Sequence, residues 1–166
     1  MDRVDHFRAL MAYESWATEQ AIASIESVPE AARTSASFDR ALRLIPHVQL
    51  ARAVWLHRLK GDRYDNPRDW FPRMDPSDMR TLSAQVDDRW RGYLAPLGEA
   101  DLDRECTYAS SEGVGYASRV GDVLSHVFNH STYHRGQVAR LVAESGGQRA
   151  ATDQIILTRR RLDQRP

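Results

Sequence analysis

The stretch from Ser118 to Ala143 constrains the fold of this chain more than any other part of the sequence. When the stretch is placed on a helical wheel at about 100° per residue, its aliphatic side chains fall within about 60° of one direction. The residues of this apolar stripe include Val123, Val127, Val138 and Leu141. The pattern predicts one long helix whose apolar face packs into a protein core.

Three histidines, His126, His130 and His134, follow one another at intervals of four residues in this predicted helix. His130 and His134 fall about 20° on either side of the centre of the apolar stripe, whereas His126 falls about 60° away, at its margin. Two imidazoles on a face meant for the core are costly to bury unless something binds them. A pair of histidines one helical turn apart can hold one metal ion, as in other helix-borne zinc sites.

A metal site in this helix would need a ligand from elsewhere in the chain. His126 and His134 are separated by about 12 Å along the helix axis, so the two cannot readily share an ion, and the inward pair His130 and His134 is favoured. His47, at the margin of the apolar stripe of another predicted helix, is the best-placed third ligand. Three protein ligands leave a coordination position for water or substrate, which is typical of catalytic metal sites.

Histidines that only pack and hydrogen-bond in the core are the alternative interpretation, and periodicity does not separate it from a metal site. His126 is predicted either to support the site or line its pocket as a base, or simply to be partly exposed. His6 and His57 are predicted to lie at the surface.

Three earlier segments also show helical periodicity, and with the last one they predict an all-α fold, a four-helix bundle. They run from about Val4 to Ile25, from about Asp39 to Lys60, and from Pro76 to about Ala95. Gly61 is typical of a residue that ends a helix. The residues between the second and third segments, 63–75, are predicted to form a loop because Pro67 and Pro72 interrupt them.

Individual residues in these helices carry further expectations. Pro46 directly precedes His47 and is expected to bend the second helix or to restart it there. Asp75 is expected to cap the third helix. Glu14 lies near the edge of the apolar face of the first helix and is expected to reach solvent, with support of a buried histidine as the alternative.

The periodicity changes between Arg104 and Val120, where the sequence predicts a short hairpin or an extended segment before the last long helix. Ser118 is expected to cap the last helix at its N-terminus, and the glycines at 146–147 are expected to end it. The apolar run 155–157 is expected to fold back onto the bundle.

Length and composition exclude several classes of protein. A chain of 166 residues fits one domain, here taken as 1–166, and its formal net charge of zero provides no electrostatic footprint for nucleic acid or for an anionic membrane. No apolar run approaches the length of about 18 residues that a membrane span needs. The single cysteine, Cys106, excludes an internal disulfide, and the first residues lack a signal-peptide profile, so a cytoplasmic location is expected.

Residues 126–138, His-Val-Phe-Asn-His-Ser-Thr-Tyr-His-Arg-Gly-Gln-Val, closely resemble the signature of the DinB family, also called DinB/YfiT-like metalloenzymes. Residues 10–17 and 44–55 resemble the first-helix and second-helix motifs of that family, in the right order. Residues 102–116 resemble the extended segment that precedes its last long helix. Thr18 is a departure, because many members have Asn at this position.

This resemblance implies a four-helix bundle, commonly a homodimer, that holds a divalent metal ion, with zinc or nickel expected here. Carried over position by position, the metal ligands are His47, His130 and His134. Relatives in the wider superfamily act on low-molecular-weight thiols such as bacillithiol or mycothiol.

A metal-dependent enzyme that activates a thiol or water is therefore expected, similar to a thiol S-transferase or a hydrolase, with a low-molecular-weight thiol or another small molecule as its partner. His126 would relay a proton as the catalytic residue. Arg52, Arg135 and Arg140 are candidates for holding a charged cosubstrate. The alternatives are a non-catalytic, metal-stabilised dimer that binds a ligand or partner in a stress response, and a metal-free bundle whose histidines only pack.

Overall fold

Four long α-helices and one β-hairpin dominate the computed structural model, which describes residues 2–62, 67–110 and 112–160. The long helices are α1 (Arg3–Glu26), α2 (Ala36–Lys60), α3 (Pro76–Leu94) and α4 (Val120–Glu144). Strands β1 (Glu105–Ala109) and β2 (Gly115–Arg119) lie between α3 and α4 in the chain, and a short helix, α5 (Gln154–Thr158), follows α4. The predicted all-α fold, with a hairpin before the last long helix, is confirmed.

The long helices form a four-helix bundle. The most extensive contacts are those of α2 with α4 and of α1 with α3, and the contacts of α1 with α4 and of α2 with α3 close the bundle. The two strands pair antiparallel, from Glu105 opposite Arg119 to Ala109 opposite Gly115. None of the helices in the described part of the chain combines the length and the apolar character that a bilayer crossing requires.

The apolar core consists of two clusters, one around Phe7, Trp90 and Phe128 and the other around Ile22, Leu42 and Val138. On α1, α2 and α4, the turns between these clusters carry buried polar side chains instead. These polar-layer residues are Glu14, Thr18, His47, Gln49, Arg52, Ser131, His134 and Arg135. Between the two apolar clusters, the middle of the bundle therefore contains buried polar groups among its apolar side chains.

Two ion pairs compensate the buried charges of the polar layer. Glu14 Oε2 on α1 lies 2.6 Å from Arg135 Nη1 on α4, and Arg52 Nη1 on α2 lies 2.7 Å from Asp87 Oδ1 on α3. The expectation that Glu14 reaches solvent is wrong, because its side chain is 0% exposed and is neutralised by Arg135. The alternative, that Glu14 supports a buried histidine, does not describe this contact either, because its partner is Arg135, the residue after His134 in α4.

The ends of α2 follow ordinary capping chemistry. Ser35 accepts a hydrogen bond from the Phe38 amide at 3.2 Å, so α2 begins three residues before the predicted Asp39. Gly61 ends the helix with φ of +74°, a left-handed conformation that favours glycine. The helix continues through Pro46 as one element, so the predicted restart of the helix at the proline does not occur.

Two local predictions need correction at α4 and at the chain segment that follows it. Ser118 does not cap α4, because it pairs with Cys106 in the hairpin and its hydroxyl lies 3.2 Å from the Tyr108 hydroxyl. Arg119 holds the N-cap position instead, without a side-chain hydrogen bond. The run 155–157 does not bury its apolar side chains, since Ile155 is 62% and Leu157 is 41% exposed.

The cap expected at the start of α3 is also only partly present. Asp75 occupies the N-cap position and Pro76 lies in the first turn, but the Asp75 side chain makes no capping hydrogen bond. Of the predicted loop 63–75, residues 63–66 lie outside the described part, and residues 67–75 contain neither helix nor strand.

Glu14→Gln is expected to destabilise the fold by about 3–5 kcal/mol, because it leaves the buried charge of Arg135 without its partner. A double variant, Glu14→Leu with Arg135→Met, should recover most of that loss, since it buries no charge. Urea unfolding measures both variants. Asp88→Asn, which breaks the exposed ion pair with Arg91, is the matched control and should cost less than about 1 kcal/mol. An equally small loss for Glu14→Gln would contradict a stabilising buried pair.

Candidate metal centre

Three histidines from two helices meet in the groove between α2 and α4. One ring nitrogen from each of His47, His130 and His134 lies within 4.8 Å of those of the other two. The ring centroids are 4.6 Å apart for His47 and His134, and 4.5 Å apart for His130 and His134. The structure thus brings together the three residues that the sequence singled out, and we call them the histidine trio.

Two members of the trio have their Nδ1 atoms occupied. His47 Nδ1 lies 2.9 Å from the carbonyl oxygen of Trp70, and His134 Nδ1 lies 3.1 Å from Gln137 Oε1. Because both partners are acceptors, Nδ1 carries the proton in each ring. The lone pair of each neutral imidazole is therefore on Nε2, which is the atom left to ligate a metal.

His130 is the least compensated member of the trio. Within the described residues its ring makes no hydrogen bond, and its nearest ring neighbours are other histidines. Burial, together with the positive charge that His134, His47 and His126 would carry if protonated, lowers the pKa of His130 from 6.5 to about 4. Burial also lowers the pKa of His47 and of His134. All three rings are neutral at pH 7, the state in which imidazole binds a metal.

A short stretch of the α2–α3 loop holds His47 in place. Phe71 stacks on the His47 ring at a centroid distance of 4.1 Å, next to the Trp70 carbonyl that bonds Nδ1. Arg43 donates to the Phe71 carbonyl at 3.1 Å and pairs with Asp39 at 2.8 Å, so the loop is tied to α2. Sequence reasoning missed this role. The signal available in the sequence was an adjacent Trp-Phe pair in a loop rich in charged residues.

His126 lies at the rim of the site, outside the trio. Its side chain is exposed, and its ring lies 5.7 Å from that of His130 and 5.2 Å from that of Trp55. Partial burial lowers the pKa of His126. Tyr108 and Arg58 pack on the same Trp55 ring, at 4.9 Å and 4.7 Å. One side of the rim is therefore an aromatic wall that carries a neutral imidazole.

The arginines suggested for a charged cosubstrate are all engaged elsewhere. Arg52 and Arg135 are buried in the ion pairs of the polar layer. Arg140 pairs with Glu144 on the surface of α4. Sequence periodicity could not reveal the partners of Arg52 and Arg135, because these are set by how the helices pack. The pair of Arg140 with Glu144, four residues later in the same helix, does follow from helical spacing.

The remaining sequence candidates lie apart from the trio. His6 is exposed, as predicted, whereas His57 is only partly exposed and its Nδ1 lies 3.5 Å from Asp62 Oδ2. Thr18 is buried, and its hydroxyl lies 3.4 Å from Glu14 Oε1. Thr18 therefore supports the Glu14 ion pair rather than the histidines.

The fold and the site together define an all-α bundle with a three-histidine cluster that could hold a metal ion between two of its helices. The family model described as DinB family matches residues 2–161, and the chain belongs to this family. The chain is also similar to the protein DinB of Bacillus subtilis (strain 168). The two are 22% identical over 154 residues, which cover 87% of this chain and 88% of that protein.

The depressed pKa of His130 predicts how the metal-free protein responds to acid. Well above pH 6.5 this residue does not change stability with pH, because it is neutral in both the folded and the unfolded chain. As the pH falls from 6.5 towards about 4, the unfolded chain takes up the proton first, so folding stability should decrease.

Urea unfolding of the metal-free protein between pH 7 and pH 5 measures this effect. His130→Gln should lose less stability over that interval than the wild type, and His6→Gln, which changes an exposed histidine, should behave like the wild type. Parallel curves for the wild type and His130→Gln would show that His130 titrates normally.

Proposed function

We propose that this protein is a metal-dependent enzyme in which His47, His130 and His134 hold one divalent cation and a thiol or water serves as the nucleophile. A thiol S-transferase or a hydrolase fits this description. The observation that carries the proposal is the histidine trio itself. Its candidate ligand nitrogens lie within 4.8 Å of one another, and its imidazole rings are neutral at pH 7.

The donor set fits a divalent transition metal. Neutral imidazoles bind zinc and nickel well, which are the two ions expected from the sequence. Hydrogen bonds from Nδ1 of His47 and His134 fix their rings, as is usual for metal-binding histidines. His130 has no such partner in the described residues and is only partly buried, so its ring nitrogens are available to a cation.

A cation held by three protein ligands keeps a coordination position open and lowers the pKa of a thiol or water bound there. The remaining chemistry belongs to the chain. The aromatic wall of Trp55 and Tyr108 packs against His126 at the rim of the site. His126 would then be the residue that accepts a proton from an incoming nucleophile, and its neutral ring 5.7 Å from that of His130 supports this role. A cytoplasmic location and a homodimeric assembly remain predictions that accompany this proposal.

Metal analysis of untagged protein tests the ligand assignment. Wild-type protein should retain about one equivalent of zinc or nickel after dialysis, as expected for one three-histidine site. His47→Ala, His130→Ala and His134→Ala should each weaken affinity by at least about 100-fold, because each removes a ligand rather than an outer contact. His6→Ala and His126→Ala are the matched controls and should retain the metal.

If wild-type protein holds no stoichiometric metal after exposure to zinc, nickel and manganese, the metalloprotein proposal is wrong. The same samples separate an enzyme from a binding protein. In cobalt-substituted protein, a low-molecular-weight thiol such as cysteine should change the visible spectrum if thiols reach the open position. A protein that binds and is stabilised by metal, but shows neither a thiol response nor turnover, would support the non-catalytic dimer instead.

A further inference from the structure

A cavity of about 400 Å³ opens beside the histidine trio, on the side away from His126. Its lining residues are Arg40, Arg43, Leu44, Phe71, Tyr133, His134 and Gln137. Since His134 belongs to both the trio and the cavity wall, a molecule in this side cavity would have one end at the proposed metal site. A larger cavity of about 870 Å³, between α1, α4 and residues 149–154, has a lining of mixed charge and does not include the trio.

The two arginines of the side cavity differ in their bonding. The guanidinium of Arg43 already has partners, because it forms an ion pair with Asp39 and donates a hydrogen bond to the Phe71 carbonyl. Asp39 also lies 3.3 Å from Arg73, so its carboxylate is shared between two guanidinium groups. Arg40 is exposed and makes no ion pair or side-chain hydrogen bond within the described residues. The side cavity therefore contains one guanidinium whose charge is not compensated by a contact.

Two exposed aromatic rings flank the same space. Phe71 is 43% exposed and Tyr133 is 65% exposed, so both rings present free surface at the cavity wall. Each ring already packs against a member of the trio, Phe71 on His47 at 4.1 Å and Tyr133 against His134 at 5.1 Å. Their free surfaces offer contact to a planar or apolar molecular body.

We propose that the side cavity binds the substrate as an organic carboxylate, with the carboxylate on Arg40 and the apolar body between Phe71 and Tyr133. A guanidinium binds a carboxylate through two parallel hydrogen bonds, which gives both affinity and orientation. Arg40 precedes His47 by seven residues, or about 10 Å along α2, so the carboxylate and the reacting group must lie at opposite ends of the molecule. This substrate class rests on the proposed function of the trio, but Arg40 and the aromatic rings bind without a metal.

Binding of 3-phenylpropanoate to metal-free protein, followed by titration in NMR spectra, tests the inference apart from the metal. The neutral amide 3-phenylpropanamide is the matched probe. The wild type should bind the acid more tightly than the amide, and Arg40→Gln should raise the dissociation constant for the acid at least about tenfold without affecting the amide. Tyr133→Ala should weaken both probes alike, because the apolar body is common to them.

Arg89→Gln is the control, since Arg89 is an exposed arginine of α3 that does not line the side cavity. Circular dichroism should show wild-type helix content for Arg40→Gln, because Arg40 is exposed and makes no ion pair or side-chain hydrogen bond with the residues that the structure describes. Equal binding of acid and amide, or an Arg40→Gln variant that binds the acid as the wild type does, would overturn the inference. If the wild-type protein binds no metal but still binds the acid through Arg40, the proposed function is wrong and the carboxylate site remains.

Discussion

Charge compensation in the middle of the bundle is the constraint on which the candidate site depends. Arg135 directly follows His134 in α4, and an unpaired guanidinium at that position would repel a divalent cation. Its pairing with Glu14 at 2.6 Å cancels that charge, as the pairing with Asp87 does for Arg52. The two ion pairs of the polar layer therefore leave neither Arg52 nor Arg135 as an unpaired buried charge that would oppose a cation at the histidine trio.

The histidines of the trio are held to different degrees. The Trp70 carbonyl and Gln137 orient His47 and His134, and the Arg43 contact with Phe71 keeps the loop against α2. His130 lies between other imidazoles without a hydrogen bond in the described residues. The site is thus preorganised at two positions and lacks a compensating contact at the third, and a bound cation would supply it.

Helical periodicity predicted the long helices and the inward faces of His130 and His134, with His47 as the best-placed third residue, and the family resemblance implied the same three ligands. It could not predict the partner of Glu14, since a residue at the margin of a face takes its environment from the neighbouring helix. Ser118 was misassigned because strand register overrode its capping preference. The position of Phe71 depends on how a loop returns to α2, which spacing does not encode. Spacing also does not show that Arg40 lacks an ion-pair partner among the described residues.

The measurement that tests the central claim most directly is a crystal structure of the zinc-loaded protein with anomalous diffraction recorded at the zinc edge. The metal site proposed here predicts one strong anomalous peak between α2 and α4, ligated by Nε2 of His47, Nε2 of His134 and one ring nitrogen of His130. Ligation through Nδ1 of His47 would show that the Trp70 carbonyl does not fix the ring. A peak only at surface residues, with the three rings unchanged, would contradict the metal centre itself.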